Sequence, residues 1–347
     1  MLFVALLAAI VAITSAYAYY SISKRGANCK RLTPVSVSLA SITATDKNYQ
    51  YPFRDFQIKS SYNSCAVGNF KNDWVDLCAL GNAIQQGCRL LDFQVYDING
   101  STEVAASNSP KYTEKGTYNS LPISDVIQAV ANLAFASATC PNFSDPLVLS
   151  FRVMSKQVRV FDDIAAALNT FLPDRLLPNT FNYEFQGRNI TAMPLTKFIG
   201  KVIVMVDKSN AIVESSKLDE YMNLGGNSVF CRILAYNDVI DTPSMPELVE
   251  FNKKNVTLCL PSSTSSANND ATVTTPFGVQ MCAMCFQSRD SNLDTYAALF
   301  DTAGHAFILK DASLRYTPVT VDPLPPPDPS LSYGYKTHKT ALYNFNL

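Results

Sequence analysis

The residues best able to do chemistry in this chain are few and scattered. Two histidines occur, His305 and His338, and a lone histidine is more often a packed or rim residue than a proton carrier. Nine cysteines are dispersed, odd in number and mostly set in apolar runs, which reads as free buried thiols packing as small hydrophobes. One pair, Cys282-Ala-Met-Cys285, has the spacing of a redox or zinc site. It lies in an apolar run at 279–286 that reads as a buried strand, where residues three apart face opposite sides. The two sulfurs are therefore not expected to share a metal, and no second pair exists to complete a site. Asp92 and Gln94, two apart in the run at 90–96, alternate to one strand face.

The elements that would position such residues repeat from about residue 48 to 316. Apolar runs rich in Val, Ile, Leu and Phe, at 90–96, 147–153, 201–206, 228–234 and 280–286, read as strands. Helix patterns at 74–86, 124–137 and 161–171 fall between them. Strands alternating with helices imply right-handed crossovers and a parallel sheet, and this many units suit a closed α/β barrel. The polar stretch at 262–275 reads as an exposed loop, and 322–329 opens a Pro-rich tail expected to be an extended arm that lies along a partner.

The first residues read differently. Positions 2–20 hold no charge, and nineteen residues in a helix span roughly 28 Å, close to the ~30 Å hydrocarbon core of a bilayer. Ala16-Tyr17-Ala18 has the form of a signal-peptide cleavage site, but no basic residue precedes the run and it is longer than a signal core. An uncleaved transmembrane anchor at 1–22 is the expectation, followed by a linker at 23–47, a barrel at 48–317 and the tail at 318–347. Lys24, Arg25, Lys30 and Arg31 follow the segment, which places the body on the cytosolic side by the positive-inside rule. The sequons at Asn99, Asn142, Asn189 and Asn255 are about what chance yields in this composition and do not decide the side. With a net charge of −1 and no basic stripe, the chain is not expected to bind nucleic acid. At 47% apolar and 16% charged residues it has ample material for a core.

Several segments, in order, resemble the phosphoinositide-specific phospholipase C family. Lys59-Ser-Ser-Tyr-Asn-Ser64 looks like the family's Ser-Ser-His-Asn-Thr segment, and Gly87-Cys-Arg-Leu-Leu-Asp92 like its entry into the metal-binding strand. Gly200-Lys-Val-Ile-Val204 resembles the last strand of the X half. In the Y half, Phe251-Asn-Lys-Lys-Asn255, Gly278-Val-Gln-Met-Cys-Ala-Met-Cys-Phe-Gln287 and Ala303-Gly-His-Ala-Phe-Ile-Leu-Lys310 are similar to family motifs. The resemblance implies a distorted TIM (β/α)8 barrel of the phospholipase C-like phosphodiesterase type, preceded here by one transmembrane helix. It also implies a chemistry of two histidines as general base and acid, with calcium held by Asn, Glu and Asp.

Carried over residue by residue, that machinery is degenerate. Tyr62 stands at the first histidine's position, and the second histidine's loop falls near 105–109, which contains no histidine in any register. Of the metal ligands Asn63 remains, the Glu-x-Asp pair becomes Asp92-x-Gln94, and the later glutamate is matched by Arg152, a cation that would repel calcium and pair with Asp92. The inositol-phosphate lysines match Met205 and Asp207, and the later substrate arginine and tyrosine match Leu258 and Leu260. No intact catalytic or substrate residues and no cofactor are therefore expected, Asn63 and Asp92 being the residual metal candidates.

The leading expectation is a catalytically inactive, membrane-anchored barrel acting as a structural or adaptor protein. Its partners would be a membrane through 2–20 and proteins through the barrel surface and tail, and the membranes and shells of large DNA viruses offer an analogous setting. The alternative is a phosphoric diester hydrolase acting on phosphoinositides with calcium and a reorganised site of Tyr62, Asp92 and His305. A third reading, a secreted lipid-binding module, requires cleavage after Ala18.

Overall fold

The computed structural model describes residues 2–32, 38–109, 114–262, 266–318, 328, 331 and 334–346. Eight parallel strands form a nearly closed barrel: β1 Phe56–Ser61, β2 Leu90–Ile98, β3 Leu147–Val153, β4 Val202–Asp207, β5 Leu224–Gly226, β6 Cys231–Ala235, β7 Val256–Leu260 and β8 Met281–Met284. The spatial order is β5-β4-β3-β2-β1-β8-β7-β6, and among the described residues no ladder joins β5 to β6. The hairpin strand Ser101–Ala105 pairs antiparallel with β2, and Phe307–Leu309 pairs antiparallel with β1.

The expected strands at 90–96, 147–153, 201–206 and 280–286 match β2, β3, β4 and β8 to within a few residues, and 228–234 overlaps β6. The helices follow suit as α2 Leu77–Gln85, α3 Ile123–Ala134 and α4 Val158–Phe171. The first of these starts at Leu77 because the Asp76 carboxylate caps it, accepting the Cys78 N–H. Val126, Ile127 and Val130 of α3 and Phe161, Ile164 and Leu168 of α4 are fully buried, at the 3–4 residue spacing that gives each helix one apolar stripe. On the barrel wall Phe93 of β2 stacks on Phe151 of β3 with ring centres 5.9 Å apart.

Two expectations about the first 47 residues are corrected. The helix α1 runs from Leu2 to Arg31, past the end of the apolar segment, and it is long and apolar enough to cross a membrane. Its second half is docked to the barrel: Lys24 pairs with Asp73 at 2.7 Å and Arg25 with Asp76 at 2.6 Å. Cys29 and Cys78 form a disulfide, so the expectation of nine free thiols fails for this pair. Nor is the rest of 23–47 a free linker, because Leu39 and Ile42 are buried in the core and Asp145 accepts the Ile42 N–H at 2.7 Å; residues 33–37 lie outside the described residues.

The polar stretch at 262–275 is also less exposed than expected. Residues 263–265 lie outside the described residues, but Asn268 is buried and accepts the Cys285 N–H at 2.6 Å, while Ala271–Phe277 is a 3-10 helix. Most of the Pro-rich stretch, 322–327 and 329, lies outside the described residues as well. The remainder of the tail forms a unit of its own, 316–347, in which Thr337–Lys339 pairs antiparallel with Asn344–Asn346 and His338 stacks on Phe345.

Candidate functional site

The site assembles where parallel register and strand alternation coincide. Asp92 lies opposite Ser150 and Gln94 opposite Arg152 in the β2–β3 ladder, so the four side chains share one face of adjacent strands. Asp92 is wholly buried and Arg152 is 8% exposed. The guanidinium grips the carboxylate with two bonds, Nε to Oδ1 at 2.9 Å and Nη2 to Oδ2 at 2.6 Å, the bidentate geometry that arginine makes and lysine cannot. Ser150 Oγ donates to Oδ1 at 3.3 Å and the Asn63 N–H to Oδ2 at 3.1 Å. Asn63 holds a left-handed backbone with φ 41°, which asparagine tolerates better than most residues.

The cation is enclosed on its other sides too. Arg152 Nη2 donates to Asn63 Oδ1 at 3.0 Å, and the guanidinium carbon lies 4.8 Å from the centre of the Tyr62 ring, a cation–π distance. Gln94 Oε1 accepts the Ser107 N–H at 2.7 Å and the Tyr96 hydroxyl at 3.3 Å. Burial pulls the Arg152 pKa down, but the Asp92 carboxylate and the Tyr62 and Tyr96 hydroxyls together outweigh it and the net shift is upward, which keeps the group protonated. Burial pushes the Tyr62 phenol up, with Arg152 opposing only in part. A phenol above its usual ~10 is no general base at neutral pH.

Calcium takes six to eight oxygen ligands, drawn from carboxylates, carbonyls and waters. Here each Asp92 oxygen already accepts two hydrogen bonds, Asn63 Oδ1 and Gln94 Oε1 are engaged, and a guanidinium lies against the carboxylate. This donor set does not fit calcium. Among the described residues one group of metal-ligating side chains does come together, Cys29, Asp76 and Cys78, and the disulfide consumes both its sulfurs.

Above the pair lies a cleft of about 260 Å³ lined by Tyr62, Gln94, Arg152, Ile233, Leu260 and Pro261, among others. Arg152, already neutralised, is the one cation among its described lining residues. Met205 is fully buried in β4 opposite Ser150, and Leu258 is fully buried in β7 between its register partners Ile233 and Met281. Asp207 ends β4 and accepts from the Ser209 N–H at 2.9 Å and Asn227 Nδ2 at 3.0 Å.

His305 is elsewhere. Its Nδ1 lies 2.9 Å from the Ala40 carbonyl and its ring meets Tyr49 edge-on at 5.3 Å. Burial raises the Asp145 carboxyl pKa, and His305 is among the nearby groups that oppose the rise. Asp145 precedes β3 whereas Arg152 is near its far end, and seven residues of strand span roughly 20 Å. Tyr62, Asp92 and His305 therefore do not converge. Cys282 and Cys285 also part: Cys282 packs beside Cys259 near Val239 and Leu248, and Cys285 lies in the main core. Sequence reasoning missed Ser150, Tyr96 and Ser107, although Ser150 stands two before Arg152, the spacing that shares its face.

Residues 49–208 match the family model described as phosphatidylinositol-specific phospholipase C, X domain. Among solved structures, PLC21 of S. officinalis aligns at 15% identity and a TM-score of 0.64, over 82% of this chain and 40% of its own. PLC21 of L. pealei aligns at 14% identity and a TM-score of 0.63, over 77% of this chain and 38% of its own. A calcium-dependent phosphoinositol-specific phospholipase C from Pseudomonas sp. aligns at 8% identity and a TM-score of 0.48, over 79% of this chain and 99% of its own. No curated protein matches the sequence. The chain spans about 40% of the length of the first two structures. The molecule is thus a phospholipase C-like TIM barrel whose residues 49–208 match the X domain of the phosphatidylinositol-specific enzymes.

Proposed function

We propose that this barrel is non-catalytic and serves as a membrane-anchored structural or adaptor protein. One observation carries the reading: a protonated arginine saturates the carboxylate that a calcium site would need. The absence of an imidazole among the described lining residues of the cleft and a phenol raised away from neutrality support it, because phosphodiester cleavage of the family's kind needs proton transfer at both oxygens. By the resemblance, Tyr62, Asn63, Asp92, Gln94 and Arg152 are the remnants of a catalytic centre, and Met205, Asp207, Leu258 and Leu260 those of a substrate site. The barrel surface and the tail would then supply contacts to protein partners, and α1 the attachment to a membrane.

The test is hydrolysis of phosphatidylinositol vesicles by the full chain with added calcium. No release of diacylglycerol above a protein-free blank is expected. Calcium-dependent release that Asp92→Asn abolishes would establish a diester hydrolase with a reorganised site instead.

On sidedness two observations pull apart. Lys24, Arg25, Lys30 and Arg31 favour a cytosolic barrel, whereas Cys29–Cys78 persists in oxidising surroundings such as cell or virion surfaces. A chain inserted with its barrel in the cytosol and later carried out of the cell in a particle satisfies both, which supports the virion setting. Asn99 reports the side, since it is exposed in a turn while Asn142 is fully buried. An Asn99-linked glycan would overturn the cytosolic insertion.

A further inference from the structure

The chain has a single tryptophan, Trp74, and it stands at the junction of α1 with the barrel. Its Nε1 donates to the Ser21 carbonyl of α1 at 2.8 Å, and the Arg25 guanidinium lies 5.9 Å from its ring centre. Tyr118 packs on Trp74 with ring centres 5.4 Å apart, and its hydroxyl meets that of Tyr17 at 2.7 Å. The two loops that carry these rings are bonded to each other, Asn72 N–H to the Gly116 carbonyl at 2.9 Å and Tyr118 N–H to the Asp73 carbonyl at 2.8 Å. The Lys24 and Arg25 ion pairs then fasten the helix to the loop that carries Trp74, and the Cys29–Cys78 disulfide fastens it to the first turn of α2, which follows that loop.

The junction also coincides with a chemical boundary along α1. Residues 2–20 are uncharged and the first cations are Lys24 and Arg25. From Leu2 to Ser21 a helix rises roughly 28 Å, close to the ~30 Å hydrocarbon thickness. Tyr17, Tyr19 and Tyr20 are exposed on the helix at that level, and Tyr118 is 38% exposed beside them. Amphipathic rings with one polar atom favour the headgroup region, where ring and hydrogen-bonding atom are each satisfied.

We infer that Trp74 and Tyr118 of the barrel, together with Tyr17 of α1, form a collar seated in the lipid headgroup region, so that the barrel rests on the bilayer rather than swinging from a tether. The partner is the lipid surface itself. Because α1 and the two loops are cross-linked, the depth of the helix sets the depth of the collar. This rests on α1 spanning the membrane, and the test separates the two claims.

The full chain is reconstituted in phosphatidylcholine vesicles whose acyl chains carry bromine either near the headgroup or near the bilayer centre, and Trp74 emission is read. Seating predicts a blue-shifted emission with a large loss in shallow-brominated vesicles and a smaller loss in deep-brominated ones. Emission unchanged by either bromine position, in protein that resists carbonate extraction, would overturn the seat while leaving the anchor intact. Release by carbonate would overturn the anchor and the seat together. Tyr118→Trp on a Trp74→Phe background supplies a second reporter, which must show the same depth ranking; equal emission in all vesicles there would also overturn the collar.

Discussion

Replacing Arg152 with alanine isolates the arrangement on which the functional reading depends. Asp92 would keep the Asn63 N–H and the Ser150 hydroxyl but lose both guanidinium bonds, at a position with no solvent exposure. Breaking a buried pair by removing one partner costs about 3–5 kcal/mol, a large share of the ~5–15 kcal/mol of a typical domain. The Tyr62 ring contact adds to the loss, whereas Asp92→Ala should cost less, because the 8%-exposed arginine can turn into the cleft. Urea unfolding of the full chain in detergent, followed by Trp74 emission, measures both variants and their double, and a coupling of at least ~1.5 kcal/mol is expected for charge-assisted bonds. The same measurement with calcium tests the metal argument: an ion at about 100 times its Kd adds about 2.7 kcal/mol, and none is expected for the wild-type chain. A neutral Arg152→Ala, or a wild-type chain that calcium stabilises, would refute the reasoning.

Two other perturbations have definite signs. Lys310 is 5% exposed, with its Nζ on the Asn252 carbonyl at 2.9 Å, and burial lowers its pKa to about 7. Between about pH 7 and the unfolded value of 10.5 the unfolded chain binds the extra proton, so stability should rise with pH there by up to ~1.4 kcal/mol per unit. Lys310→Met should remove that rise, and a denaturation series across the window checks it. The Cys29–Cys78 bond joins residues separated by 49 positions, for which the chain-entropy rule assigns about 4 kcal/mol. Cys29→Ser should lower the urea midpoint accordingly and abolish the mobility difference between reduced and unreduced gels; an unchanged midpoint would show that the helix is held by its ion pairs.

The barrel was legible because β2, β3 and β4 are long, apolar and rich in branched residues, and the Asp92–Arg152 pairing followed from the family resemblance, which sets Arg152 at a metal ligand's position, and from charge. What escaped has physical causes. Strand β5 is Leu224-Gly-Gly226, three residues with no strand signature of their own. A disulfide partner cannot be read from spacing, and the run after residue 20 turns polar while remaining helical, so a docked half-helix resembled a linker. His305 had the right residue type for a catalyst, and its position near Asp145, at the opposite end of the strands, emerged only from the topology.

A stalk that is covalently stapled to its head changes how neighbouring copies meet. A head on a floppy leash samples every orientation and must give up that freedom before it can touch another molecule. One whose helix is bolted by Cys29–Cys78 has already surrendered most of it. Every copy in the same sheet of lipid would show its sides at the same height and tilt, so contacts too weak to register in solution add up across a crowded two-dimensional field.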